Sequence, residues 1–192
     1  MRKTTSGFTI IELIVVITVI AIIAGITLVA YNGIQQRART SQTVSAATQW
    51  TKGLLMYKAR NGGLPSTNSC LGAGYLYDVG GTATSGTAQC GQVCGVNYLV
   101  DSSFSTAMGK YMSGSPAPAM VTAANNASSW YRGLIYIVNG GVASILFTLD
   151  SGQSCPLKLA EFNRSYSGPA SGMNTNMVCM YTIGSTTSFD FT

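Results

Sequence analysis

Met1-Arg2-Lys3-Thr4-Thr5-Ser6-Gly7 leads into Phe8-Thr9-Ile10-Ile11-Glu12-Leu13, and the chain then runs apolar to Ala30. Leu13 to Ala30 is 18 residues without a charge, rich in Ile and Val. From Phe8 to Tyr31 a helix would rise about 36 Å at 1.5 Å per residue. That spans a hydrocarbon layer of about 30 Å. A secretory signal has a shorter apolar region followed by a small-residue cleavage site. A buried core helix rarely holds so many consecutive apolar residues. The stretch therefore predicts a membrane-spanning helix. Glu12 is the exception within it, and an ionisable side chain inside a membrane is costly enough that it usually has a partner or a task.

Past Asn32-Gly33 the pattern turns amphipathic. Ile34, Ala38, Val44, Ala47, Leu54 and Leu55 fall on one face at spacings of three, four and seven, with Gln35, Gln36, Arg37, Arg39, Gln42 and Gln49 elsewhere. Asn61-Gly62-Gly63-Leu64-Pro65 stops the helix. Lys58 and Arg60 sit in its last turn, where the helix dipole favours cations. The expectation is one helix of about fifty residues, half suited to lipid and half packed on a domain. Gly25 and Asn32-Gly33 are the places where such a helix would loosen.

Composition narrows the remainder. Charged residues make up 9% of the 192-residue chain, against about 25% in ordinary soluble domains. The surface suits an extracellular or subunit-packed protein. A net charge of +5, part of it from Arg2 and Lys3, is too weak to argue for nucleic acid by itself. The absence of histidine removes Ser-His-Asp and Cys-His nucleophiles and His-containing metal sites. The six acids, Glu12, Asp78, Asp101, Asp150, Glu161 and Asp190, are scattered singly, and no Gly-rich phosphate loop is present. No catalytic residue, metal site or cofactor is expected, and the chain does not read as an enzyme.

Five cysteines, Cys70, Cys90, Cys94, Cys155 and Cys179, are disulfide candidates if the domain lies outside the cytoplasm. They favour an outside carboxyl-terminal domain where the basic residues flanking the helix are nearly balanced. Five is odd, so at least one is unpaired or pairs between chains. Cys90 and Cys94 lack the spacing of a thioredoxin-type site. A Cys155–Cys179 bridge would close a loop worth roughly 3 kcal/mol in loop-closure entropy. The full connectivity stays open at this level.

Residues 66–97 are rich in Gly, Ser and Thr and read as one long loop. Asp101 or Ser102 could cap a short helix carrying Phe104, Met108, Tyr111 and Met112 as core contacts. Trp130 to Val138, Asn139-Gly140-Gly141, then Val142 to Leu149 predict a hairpin. Its second strand turns Ala143, Ile145, Phe147 and Leu149 to the long helix and Ser144 and Thr148 away. Met177 to Ile183 reads as a further strand. The sum is an α+β fold: a long amino-terminal helix on a small antiparallel sheet, with disulfide-stapled loops.

Gly7-Phe8-Thr9-Ile10-Ile11-Glu12-Leu13 and its apolar continuation resemble the type IV pilin family, which includes the pseudopilins of type II secretion. The helix end, Tyr57 then Asn61-Gly62-Gly63-Leu64-Pro65, is a weaker resemblance. The resemblance implies a pilin fold with a leader over 1–7, a transmembrane helix over 8–31, its amphipathic continuation over 32–61 and a globular head over 62–192. It implies cleavage by a prepilin peptidase between Gly7 and Phe8, methylation of the Phe8 amine, and pairing of Glu12 with the Phe8 amine of an adjacent subunit. The Cys155 to Cys179 span is similar to the family's disulfide-bounded region. Many pilins carry a proline within the apolar run, and this chain has none.

The implied partners are further copies of the chain, the peptidase, the assembly machinery in the membrane, and lipid before assembly. The implied location is a single-pass membrane protein and then an extracellular filament. Alternatives on the same scaffold are a minor pilin for adhesion to a host surface or DNA uptake, with Arg132, Lys158, Arg164 and exposed tyrosines as contacts, or a pseudopilin.

Overall fold

The computed structural model describes residues 9–73, 75, 89–93, 96–126, 129–156, 164–169 and 176–185. The chain divides into two compact units, Met1–Ala38 and Arg39–Thr192. The first helix, α1, spans Ile10–Asn61 and contributes to both. Its end is held by Asn61, whose Nδ2 donates to Tyr57 O (2.8 Å) and to the Tyr111 hydroxyl (2.9 Å).

The second unit is built on two antiparallel sheets. The larger has strand order β1 (Ser69–Cys70), β6 (Leu134–Asn139), β7 (Val142–Leu149), β9 (Met177–Ser185) and β8 (Arg164–Pro169). The smaller has order β3 (Val96–Leu99), β2 (Gln89–Val93), β5 (Ser129–Arg132) and β4 (Thr122–Asn126). A second helix, α2 (Ser102–Met108), is capped by Asp101, whose carboxylate accepts from Phe104 N at 2.6 Å. Gly140 and Gly141, with φ of 56° and 78°, form the two-residue turn between β6 and β7. Positive φ at both positions matches the twist of a tight hairpin.

Both faces of the larger sheet are covered. On one face Leu134, Tyr136, Ala143, Ile145, Phe147, Leu149, Cys179, Tyr181 and Ile183 pack with Ala47, Trp50 and Leu54 of α1 and Phe104 and Met108 of α2. Trp50, Phe104 and Tyr136 form an aromatic line with centroid separations of 6.2 and 5.1 Å. The opposite face carries Ile135, Leu146 and Val178 against Cys70, Cys90 and Tyr75. Alternation along each strand separates the two sets.

Several expectations need correction. Residues 66–97 are not one loop: β1, β2 and part of β3 lie there. Their Gly/Ser-rich sequence hides strands because backbone pairing and the Cys70–Cys90 bond, not an apolar stripe, hold them. The hairpin begins at Leu134, and residues 129–132 belong to the other sheet. Gly133 makes the break, at φ 67°. Ser144 and Thr148 do turn away from the long helix, and that side is buried too, with Thr148 donating to Val121 O. On α1, Ile34 and Ala38 are exposed, and the buried stripe starts at Thr43.

That stripe includes residues whose role comes from distant partners. Thr43 Oγ1 accepts from Ala119 N (3.1 Å), Gln42 Nε2 donates to Ala117 O (3.2 Å), and Trp50 Nε1 donates to Pro116 O (3.0 Å). Three side chains of α1 thereby satisfy the backbone of an extended segment that joins no sheet.

Candidate functional site: the amino-terminal helix

The first unit owes its character to side chains without cover. Every described side chain from Thr9 to Ile26 is exposed, including Ile10 (79%), Leu13 and Ile23. Among the described residues this is the one helix long and apolar enough to cross a membrane by length and composition. Gly25 and Gly33 both lie inside α1, and a Cβ added at either would meet nothing within 4 Å.

Glu12 sits in the first turn and is engaged locally. Thr9 N–H donates to its Oε2 at 2.8 Å and the Thr9 hydroxyl donates to the same oxygen at 2.7 Å. Glu12 N–H lies 3.4 Å from Thr9 Oγ1, and Leu13 N donates to Thr9 O. This is a capping box, with Thr9 as the cap and Glu12 three residues on, which satisfies donors that a helix start leaves open. Thr9-x-x-Glu12 is a helix-start signal already in the sequence, masked there by the conspicuous charge of Glu12 in an apolar run. Both Thr9 donors converge on Oε2, and among the described residues no donor to Oε1 is present. Gly7 and Phe8 lie outside the described residues.

Two disulfides staple the second unit. Cys155 bonds Cys179 across 24 positions, and Cys70 bonds Cys90 across 20. The first fastens the segment after β7 to β9 inside the main core. The second ties β1 of the larger sheet to β2 of the smaller. Cys94 lies outside the described residues, as do Asp78, Lys158, Glu161 and Asp190.

The other singled-out residues are dispersed. Asp101 is a helix cap, and Asp150 faces Arg39 at 3.6 Å. Arg132 is half-buried in β5, and Arg164 is described only through the backbone of β8. Among the described residues no three Cys, Asp or Glu side chains converge in a way that could hold a metal. Tyr75 and Tyr136 titrate well above the usual tyrosine range, chiefly because burial disfavours phenolate, with Tyr57 adding repulsion at Tyr136. Their hydroxyls serve as hydrogen-bonding struts: Tyr75 bonds Leu134 and Tyr136 donates to Pro65 O (2.7 Å).

The long helix, antiparallel sheet and two disulfides are consistent with the α+β pilin fold. The family model for the prokaryotic N-terminal methylation motif matches residues 2–28. A fimbrial protein of Neisseria meningitidis serogroup A / serotype 4A is 32% identical over 81 residues, covering 42% of this chain and 48% of that protein. The match thus spans about half the length of that relative. No solved structure matches the chain. Motif and relative together show a chain similar to type IV pilins, the similarity lying in the amino-terminal methylation motif and in an 81-residue match to a fimbrial protein.

Proposed function

We propose that this chain is a structural subunit of a type IV pilus-like extracellular filament. Its precursor is anchored in the membrane by the amino-terminal helix. A prepilin peptidase cuts between Gly7 and Phe8, the new Phe8 amine is methylated, and membrane-bound machinery builds the helices into a homopolymer. The role is architectural rather than enzymatic. The observation that carries this reading is the exposed apolar helix bearing one carboxylate. Such a surface needs lipid or other helices around it.

Glu12 supplies selectivity in this scheme. Its Oε2 caps its own helix, while Oε1 remains to accept a cation. A carboxylate and an amine are each expensive in an apolar bundle, and pairing relieves both costs. A slipped register would strand both charges, so the pair rewards one axial offset, as a polar core residue does in a coiled coil.

Mass spectrometry of sheared filaments tests the scheme. The expected chain begins at Phe8 with a methylated amine, and Glu12→Ala leaves membrane insertion intact while filaments fail to form. Filaments made of chains starting at Met1, or normal filaments from Glu12→Ala, would overturn it. Abundance in the sheared fraction separates a major subunit from a minor pilin or a pseudopilin.

A further inference from the structure

Three Asn-Gly steps fall within the described residues: Asn32-Gly33 inside α1, Asn61-Gly62 at its end and Asn139-Gly140 entering the β6–β7 turn. All three asparagines are exposed. Asn-Gly is the step at which a chain most readily modifies itself. Glycine has no side chain to shield its nitrogen, so that nitrogen can close on the asparagine carboxamide. The closure needs a carboxamide free to approach, a glycine N–H free to lose its proton, and a backbone free to rotate.

The three sites differ in these freedoms. Gly33 N–H belongs to the hydrogen-bond ladder of a helix, which also fixes the Asn32 backbone. Gly62 N donates to Lys58 O at 2.9 Å. The Asn61 carboxamide is held twice, by Tyr57 O at 2.8 Å and by the Tyr111 hydroxyl at 2.9 Å. Among the described residues, neither the Asn139 carboxamide nor Gly140 N–H has a hydrogen-bond partner. Asn139 pairs with Val142 as the last rung of the β6–β7 ladder, and two glycines at positive φ follow it. Exposed end rungs open locally at little cost. Opening lets Asn139 leave its extended backbone and bring Cγ to Gly140 N. A Cβ at Gly140 would meet nothing within 4 Å, so the turn is also open to water.

We propose that Asn139 is a site of spontaneous covalent modification, and that the fold protects Asn61 and Asn32 from the same reaction. Gly140 N–H gives its proton to a solvent base, and the nitrogen bonds to Asn139 Cγ. The bond from Cγ to the amide nitrogen breaks, and that nitrogen leaves as ammonia with a proton from water. The product is a succinimide ring. Water then adds across one of the ring C–N bonds. Opening at Cγ leaves an aspartate in the ordinary backbone. Opening at the main-chain carbonyl leaves an isoaspartate, which puts an extra methylene into the main chain beside the Val142 rung. Water is the only co-reactant. Either product places a carboxylate on the exposed hairpin tip and lowers the formal net charge of +5 by one unit. The reaction requires no filament assembly, so the two readings fail separately.

The test incubates the full chain in nonionic detergent and mildly alkaline buffer, and maps its peptides by mass spectrometry over time for exchange of the amide nitrogen for oxygen. Asn61-Gly62-Gly63 and Asn139-Gly140-Gly141 are the same tripeptide, so a difference between them reports the fold. In the folded chain Asn139 should convert at least about tenfold faster than Asn61, the size of releasing two to three hydrogen bonds. In guanidinium that unfolds the head the two rates should converge. Tyr111→Phe removes one acceptor from Asn61 and should speed that site about two- to tenfold, leaving Asn139 unchanged. Labelling by an isoaspartyl methyltransferase should appear in the peptide that holds Asn139. Intact disulfides and an unchanged melting temperature establish that the incubated chains are folded. The proposal is overturned if Asn61 or Asn32 converts as fast as Asn139 in the folded chain, if the preference for Asn139 survives in guanidinium, or if Tyr111→Phe leaves Asn61 unmoved. It is equally overturned if Asn139 stays intact in the folded chain over the time that converts Asn61 in guanidinium.

Discussion

Substituting Gly133 by Ala should damage the head through two separable effects, and Tyr75 can separate them. Gly133 sits where the chain passes from β5 of one sheet to β6 of the other, at φ 67°. A Cβ there would lie 2.8 Å from Tyr75 Oη, 3.0 Å from Tyr75 Cε1 and 3.1 Å from Pro118 Cγ. The backbone has little room to withdraw. Gly133 N–H is shared between Val121 O (3.2 Å) and Thr148 Oγ1 (3.1 Å), and Gly133 O accepts from Thr148 N (3.1 Å). Left-handed strain costs about 1–2 kcal/mol, and overpacking about 1–3 kcal/mol. Gly133→Ala should therefore destabilise by about 2–5 kcal/mol.

Tyr75→Phe removes a buried hydroxyl that accepts from Leu134 N (2.9 Å) and shares its proton between Leu134 O (2.8 Å) and Leu71 O (3.0 Å). Leaving those groups unsatisfied costs about 1–3 kcal/mol. In the double variant the nearest contact, Oη, is gone, while the φ strain and the Pro118 contact remain. The double variant should be less destabilised than the sum of the singles by about 1 kcal/mol, within the usual range for residues in contact. Urea unfolding of the full chain in nonionic detergent, followed by tryptophan fluorescence, gives the cycle. Strict additivity would refute the steric part of the argument. A Gly133→Ala cost below about 0.5 kcal/mol, the size of an ordinary surface change, would refute both parts.

Two further outcomes follow from the staples and the buried phenols. Replacing Cys155 and Cys179 together by Ala, or Cys70 and Cys90 together, should cost roughly 3 kcal/mol in either case, because loop-closure entropy depends only weakly on length and the separations, 24 and 20, are close. Urea midpoints of the two double variants check this, and one pair proving silent would count against that bridge as a structural staple. Alkali should unfold the head. Tyr75, Tyr98, Tyr136 and Tyr181 are all raised by burial. The unfolded chain therefore loses these protons first, near pH 10, and stability present below that pH is lost above it. Stability against pH should be level to about pH 9 and fall beyond pH 10, with a shallower fall for Tyr136→Phe; equal slopes would refute the assignment.

Most elements set by a local pattern are legible in the sequence, and those set by distant partners are not. The long helix is written in an apolar run followed by an amphipathic pattern, and its end in Asn61-Gly62-Gly63. The β6–β7 hairpin is written in Asn139-Gly140-Gly141. Gly133 escaped because it lies inside an apolar stretch from Trp130 to Val138 that looks like one strand, and nothing nearby announces a change of sheet. Strand β2, Gln-Cys-Gly-Gln-Val, has no alternation to reveal it. Thr43 and Trp50 take their partners 76 and 66 residues away, on a segment with no periodic pattern. The Thr9–Glu12 box is fully local, an exception hidden by the charge of Glu12. That carboxylate has a structural task in its own helix before any second chain is considered.

The two units meet their apolar demand in different ways, and this is what makes one polar residue decisive. The head closes cores on both faces of its larger sheet. The helix leaves 12 large aliphatic side chains exposed between Ile10 and Ile26. Even at half burial each, covering them is worth on the order of 10–20 kcal/mol in total, as much as the whole stability of a typical domain. Water cannot be the working surroundings of such a surface. Lipid and neighbouring helices can both cover it, and because they are about equally apolar, the hydrophobic effect hardly chooses between them. On the filament reading, the choice between staying in lipid and joining the bundle then falls to close packing and to groups that lipid cannot satisfy. Within the described part of that run Glu12 is the one charged group, with one oxygen committed to Thr9 and the other left for a cation that an adjacent, cleaved chain would bring.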